Sequence, residues 1–237
     1  MELAKRCVDV GLFTNQLDEM RAFYGERVRL PYQELLPVGR GVKQHRYGLL
    51  GSVLKVNHLR DPLGPRIAGG YTKISIADPR TPMPLGLVDP DGNAIELVPK
   101  GQRGIDQIEI HLGVTDPAPF EHFYGEVLGC ERLGAGRFRL GETIIRVGHD
   151  GAARRADKAA GSATDVMGAM RATGFRYITI QVRDCDAEHR QFLAMGVWEG
   201  APPVTLGSVA RISFIRDPDG NWIEISQRSS LVGAIPK

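Results

Sequence analysis

The chain has 237 residues, 42% hydrophobic and 24% charged, which suits one large or two modest domains with a sizeable core. A net charge of +2, with no basic run longer than a pair such as Arg154-Arg155, argues against nucleic-acid or membrane partners. Three scattered cysteines (Cys7, Cys130, Cys185) form neither a disulfide framework nor a CxxC zinc site, and MELAKRCVDV has no long apolar run, so a cytoplasmic protein without a signal peptide or membrane span is expected.

In chain order, residues 8–30 predict a strand and then an amphipathic helix ending at the Gly of Phe-Tyr-Gly-Glu, with Leu17, Met20 and Phe23 on its apolar face. A later strand, SVLKVNHL, closes this first unit. YTKISIAD at 71–78 is a strand without a helix, and it runs through PRTPMPLG into DPDGNAIELV at 89–98. Residues 108–130 repeat residues 8–30 at an offset of 100 without a gap, and Phe-Tyr-Gly-Glu recurs at 123–126. Phe120, Phe123 and Leu128 are its apolar helix positions, and TIIRVGHD is its closing strand. Residues 151–174, rich in Gly, Ala and Ser at the start, read as a linker or a lid. A last strand and helix at 177–195 lead to DPDGNWIEIS at 217–226. Four related units result, near 5–60, 70–100, 105–150 and 175–228, the second truncated.

Asp-Pro and Asp-Gly-Asn are turn chemistry, since Pro sets φ while Gly and Asn tolerate positive φ. In the alternation that follows, Ile95 and Leu97 face a packing layer and Glu96 the opposite side. In the second copy, Ile223 and Ile225 face the layer, while Trp222, Glu224 and Ser226 point away.

These recurring motifs, in this order, resemble the βαβββ module of the vicinal oxygen chelate superfamily, which includes glyoxalase I, bleomycin- and fosfomycin-resistance proteins and type I extradiol dioxygenases. The resemblance covers nearly the whole chain apart from about 151–174. It implies an α+β fold in which repeated modules form two curved mixed sheets around cavities. It also implies an N-terminal domain at 1–103 and a complete C-terminal domain at 104–237. Ligands come from the first and last strands of each module. At those positions stand Asp9, Lys55, Tyr71 and Glu96 in the first half, and Glu109, Arg146, Tyr177 and Glu224 in the second. This departs from the His-rich metal sets of the dioxygenases and glyoxalase I, and two carboxylates with a phenol make a poor iron site. No metal or other cofactor is therefore expected. The alternative is one divalent Fe, Mn or Zn ion, held by Glu109, Glu224 and either Tyr177 or His111.

The complete second half is the expected working half, with Glu109, His111, Arg146, Tyr177, Gln181, Trp222 and Glu224 lining one pocket. In that reading Glu109 or Glu224 is a base, and Tyr177, with His111, donates to a developing enolate. Arg146, Thr179, Gln181 and Trp222 bind substrate. Metal-free proton transfer on a small oxygenated, partly apolar substrate (isomerase, epimerase or lyase) leads. A metal-dependent dioxygenase or glyoxalase-like lyase, and a resistance-type binding protein, stay open. A homodimer is compatible with the resemblance. Lys73, Ser75 and the remaining histidines are read as structural or exposed.

Overall fold

The computed structural model describes residues 1–158 and 161–235. Unit one comprises β1 (Asp9–Thr14), α1 (Leu17–Arg21), β2 (Tyr32–Pro37), β3 (Lys43–Leu49) and β4 (Ser52–His58). Unit two is β5 (Gly70–Ala77), β6 (Leu85–Val88) and β7 (Ala94–Val98), with no helix. Unit three is β8 (Ile108–Val114), α2 (Ala118–His122), β9 (Glu131–Gly134), β10 (Arg137–Leu140) and β11 (Thr143–His149). After α3 (Val166–Ala169), unit four adds β12 (Gly174–Gln181), α4 (Cys185–Ala194), β13 (Trp198–Leu206), β14 (Ala210–Arg216) and β15 (Trp222–Arg228). A last turn, α5 (Ser229–Val232), follows. No helix among the described residues is long and apolar enough to cross a membrane.

Two mixed sheets result, giving the expected α+β architecture. The larger runs β13-β14-β15-β12-β1-β4-β3-β2 and the smaller β6-β7-β5-β8-β11-β10-β9. Unit one therefore shares a sheet with unit four, through antiparallel β1 and β12, and unit two shares one with unit three, through antiparallel β5 and β8. The boundary near residue 103 divides the sequence repeat, but each sheet takes one unit from either side of it. The apolar faces of both sheets and the helices between them form one continuous core, with Leu12, Ile74, Ile110 and Ile178 from strands and Met20, Phe120 and Phe192 from helices.

The helices do not stop at the Gly of Phe-Tyr-Gly-Glu. α1 and α2 pass into π-helical turns at Ala22–Arg27 and Phe123–Val127. Wide hydrogen bonds, Val28 N to Phe23 O and Leu128 N to Phe123 O, carry the chain past each glycine. The left-handed exit falls instead on Arg29 (φ 64°) and Gly129 (φ 68°).

The two repeated motifs serve each other. In the first DPDGN turn, Asp89 Oδ1 accepts from the Asp91 and Asn93 amides, and Oδ2 accepts from Asn93 Nδ2 and from the hydroxyl of Tyr24 at 2.8 Å. The Tyr of Phe-Tyr-Gly-Glu thus latches unit one, in one sheet, to the turn of unit two, in the other. Asp217 builds the same turn with Asp219 and Asn221, but the buried Tyr124 hydroxyl has no partner among the described residues. The asymmetry is measurable. Tyr24→Phe removes a buried bond to a carboxylate and should cost about 1.5–3 kcal/mol, while Tyr124→Phe should cost close to nothing. Denaturant unfolding of both variants checks this, and equal losses would contradict the latch.

Candidate functional site

The polar faces of the two sheets carry equivalent positions with different residues. In the larger sheet, β12 pairs in parallel with β15 so that Thr179 sits beside Glu224 and Tyr177 beside Trp222. In the smaller sheet, β5 pairs with β7 so that Ser75 sits beside Glu96 and Lys73 beside Ala94. On the first strands, Asp9 and Gly11 correspond to Glu109 and His111, with Lys55 opposite Gly11 and Arg146 opposite His111. The two faces thus read Asp9, Gly11, Lys55, Tyr177, Thr179, Glu224 and Glu109, His111, Arg146, Lys73, Ser75, Glu96.

One pair of residues separates their chemistry. Gly11 has no side chain, and the Tyr177 ring takes its place; a Cβ at Gly11 would lie 2.1 Å from Tyr177 Cε1. With the ring there, the larger sheet's polar face is filled. Lys55 Nζ lies 2.8 Å from Glu224 Oε2 and 2.6 Å from Thr179 Oγ1, and Thr179 donates to the same carboxylate oxygen. Asp9 accepts from the Val53 amide, Lys5 and Gln181. The Tyr177 hydroxyl accepts from Asn57 at 3.2 Å and Gln44 at 3.5 Å, and burial pushes its pKa above the ordinary phenol range. Above this layer, Phe13, Phe214, Trp222 and Met170 form an apolar cover, joined by Val166 and Met167 from α3. Residues 163–170 of the connection are therefore folded down over the larger sheet, while part of the linker-or-lid stretch at 151–174 lies outside the described residues. This face is a sealed, charge-paired interior.

The smaller sheet's face is less closed, with Ser75 and Glu109 buried but Lys73, Arg103 and Arg146 reaching solvent. His111 stands where the glycine is, with its side chain 17% exposed. Its Nε2 lies 3.0 Å from Ser75 Oγ and 3.3 Å from Glu109 Oε1. Glu96 Oε2 collects Ser75, Lys73 and Arg103, at 2.7, 3.2 and 2.7 Å. Burial would raise the Glu96 pKa, but the bonds from Arg103, Ser75 and Lys73 together outweigh it and hold the carboxyl down at about 2. Glu109 pairs with Arg137 at 2.7 Å. Arg146 is exposed and makes no ion pair or hydrogen bond among the described residues. Four cations (Lys73, Arg103, Arg137, Arg146) thus face two carboxylates. Burial, then Lys73 and Arg146, pushes the His111 pKa down to about 3.

The single pocket expected from the sequence is therefore two half-sites. Glu109, His111 and Arg146 lie on the smaller sheet, while Tyr177, Thr179, Gln181, Trp222 and Glu224 lie on the larger. The cause is the pairing of the leading strands, which joins unit three to unit two rather than to unit four. Tyr71 is also displaced. It lies in the core with its hydroxyl on Trp222 O at 3.0 Å, because an irregularity between Tyr71 and Lys73 shifts the phase of β5. Lys73 and Ser75, read as structural, are the residues that face Glu109 and His111. An ungapped match of Ile-Ser-Ile-Ala (74–77) to Ile-Thr-Ile-Gln (178–181) would have revealed them.

Metal-using relatives of the resembling family raise the question of an ion, and the donors here do not fit one. Each face offers at most one imidazole, and every carboxylate is already neutralised by lysine or arginine. No group of three or more His, Cys, Asp or Glu among the described residues is arranged to hold a metal. A transition-metal site favours imidazole or thiolate and needs deprotonated ligands free to bind.

A family model for the glyoxalase/bleomycin resistance protein/dioxygenase superfamily matches residues 104–225, about half of the chain. The chain belongs to that superfamily. Among solved structures, it is similar to glyoxalase I from Zea mays, at 15% identity and a TM-score of 0.67, covering 93% of this chain and 92% of that one. It is also similar to a putative dioxygenase from Bacillus subtilis, at 14% identity and a TM-score of 0.70, covering 96% and 85%. At these identities the likeness is one of fold. Comparison with curated protein sequences finds no match.

Two expectations test the contrast between faces. Lys55→Met leaves Glu224 buried and unpaired and should cost about 3–5 kcal/mol, much of it recovered in Lys55→Met/Glu224→Leu, as read by denaturant unfolding. His111 is neutral when folded, but the unfolded chain takes up a proton below about pH 6.5. Its contribution to stability is thus full above that pH and is lost as pH falls towards 3. His111→Asn should lose less stability than wild type between about pH 7 and pH 4; parallel pH profiles would refute the assignment.

Proposed function

We propose that the polar face of the smaller sheet binds a small anionic carbonyl compound and catalyses metal-independent proton transfer next to its carbonyl, as an isomerase, epimerase or lyase. The observation that carries this is the fixed, neutral imidazole of His111. Ser75 gives its hydrogen to Glu96, so its oxygen is left to accept from His111 Nε2–H. Glu109 Oε1 stands on the same side of the ring. This network assigns the proton to Nε2 and leaves the lone pair on Nδ1, which no described residue engages. Glu109 and Ser75 are positioning residues, and His111 Nδ1 is the base.

The surplus cations supply the rest. Arg146, without a partner, is the anion contact, and with Lys73 it faces negative charge developing on an enolate oxygen. The same cations hold the His111 pKa low in the free protein. An anionic substrate offsets them, so the base strengthens as the substrate arrives. Tyr177 and Glu224, expected among the working groups, take no part in this reading, because the larger sheet seals them in.

Exchange of carbon-bound hydrogen in D2O, followed by NMR over a panel of small 2-oxo acids and phosphorylated ketones, tests the reading across the whole substrate class. Wild type should exchange at least one member. His111→Asn should slow that exchange by about 10²–10⁴-fold, Arg146→Gln should chiefly raise KM, and Tyr177→Phe should leave the rate unchanged. Calorimetric binding without any exchange would instead favour a ligand-binding protein, the reading that the low pKa of free His111 supports. Loss of exchange in Tyr177→Phe but not in His111→Asn would place the chemistry on the other sheet.

A further inference from the structure

A second cationic site lies where the two sheets meet, on the outer side of the Trp222 cover and away from the His111 face. A cavity of about 180 Å³ opens between the start of β12, the end of β14 and the start of β5. On the same measure a single water needs roughly 10–15 Å³, so the space admits a small polyatomic ligand. Arg176 and Arg216 both line it. The Nε atom of each is buried without a hydrogen-bond partner. Neither guanidinium has an ion pair or hydrogen bond among the described residues.

The surroundings fix Arg216 without giving it a direct ion pair; the charge of Asp217 offsets it only at a distance. Arg216 is stacked between the rings of Trp222 and Trp198, with Cζ 3.7 and 4.5 Å from the ring centroids. The neighbouring acids are committed elsewhere. Asp219 accepts from the Thr115 amide and hydroxyl and pairs with Arg155, and Asp217 is absorbed by Asn221 and the Asp219 amide. Arg154 adds a third cation to the lining. Close backbone approaches shape the walls. Gly69 and Gly70 are left-handed, at φ 77° and 67°, and a Cβ on them would lie 2.6 Å from Ala153 Cβ and 2.7 Å from Asn221 Oδ1. Both arginines are part-buried, the charge of Arg216 repels that of Arg176, and neither has a direct ion pair among the described residues, an arrangement that is costly unless an anion joins them. Their planar forks match an oxyanion, which can take two parallel hydrogen bonds from each.

We propose that this cavity binds a small oxyanion, a phosphate or carboxylate group, between Arg176 and Arg216. The site is distinct from the His111 face and does not depend on the function proposed for it.

The molecule carries its own reporter, because the chain's two tryptophans, Trp198 and Trp222, are the residues that sandwich Arg216. Tryptophan fluorescence is followed while inorganic phosphate or oxalate is added to the full-length protein at constant ionic strength, with chloride as the control. A saturable change with phosphate or oxalate, absent with chloride, is expected. Phosphate alone saturating would assign a phosphate group, and oxalate alone a carboxylate. Arg176→Gln should weaken the response at least tenfold, while Arg146→Gln, on the open face, should leave it unchanged. Calorimetry with the same anions on wild type and on Arg216→Lys, which keeps the charge but loses the fork, gives a reading that survives misfolding of Arg176→Gln. Responses to both anions indistinguishable from chloride, or undiminished binding in folded Arg176→Gln, would overturn the proposal, as would abolition by Arg146→Gln alone.

Discussion

The structure depends on one constraint, the antiparallel pairing of leading strands at the centre of each sheet. β1 lies against β12 and β5 against β8, so the first unit meets the last while the two middle units meet each other. The chain start reinforces the outer pairing. Leu3 bridges to Val182, the Ala4 amide reaches Gln181 O, and the terminal amine approaches Glu188. Once these strands are in register, every inward side chain has its neighbours assigned, because strand periodicity leaves no freedom in which face a residue occupies. The carboxylates at 109 and 224 cannot then share a site.

Within that frame, the exchange of glycine for histidine at the second inward position sets the character of each face. Where the residue is Gly11, an aromatic ring fills the gap, α3 closes over it, and the buried charges are matched one to one. Such a layer is structurally demanding, since each ion has surrendered its hydration and any unpaired member would be costly. Where the residue is His111, Lys73 stands at the place of the tyrosine, and the imidazole keeps some exposure. Lys73 and Ser75 then serve Glu96, and Arg146, the counterpart of Lys55, is left facing solvent. The same pseudo-symmetric plan thus produces one interior and one open, positively biased surface.

Membership of the superfamily does not decide between these faces, because the fold hosts many chemistries and the metal-ligand positions are occupied here by residues of the wrong kind. The chemistry has to be argued from the donor set actually present. That set is an imidazole whose Nε2 faces Ser75 and Glu109, two carboxylates already engaged, and an excess of cations. The proposal of an anionic ligand rests on that excess of cations. The arginine pair at the junction of the sheets makes a related point, since part-buried cations without a direct ion pair call for an explanation in terms of what the cavity admits.

Much of this was legible in the sequence. Alternation around 8–14, 108–114, 177–181 and 222–226 marked the strands, and the hundred-residue offset marked the repeat, because a buried sheet face imposes period-two patterning that survives divergence. The turn role of DPDGN followed from Asp, Pro and Gly conformational preferences, and Glu109, His111 and Arg146 do share a face, since neighbouring strands of one unit keep their local register. What the sequence could not determine was which units pair, because strand-to-strand partnering between units is a long-range choice with no local signature. Hence Tyr177 and Glu224 part company with Glu109 and His111, and Lys73 and Ser75 take the places beside them. The one-residue irregularity in β5 was equally invisible, yet it turns Tyr71 into the core. Tertiary pairing alone decided which polar face would be filled and which would stay open, because only there does the Tyr177 ring meet the space left by Gly11.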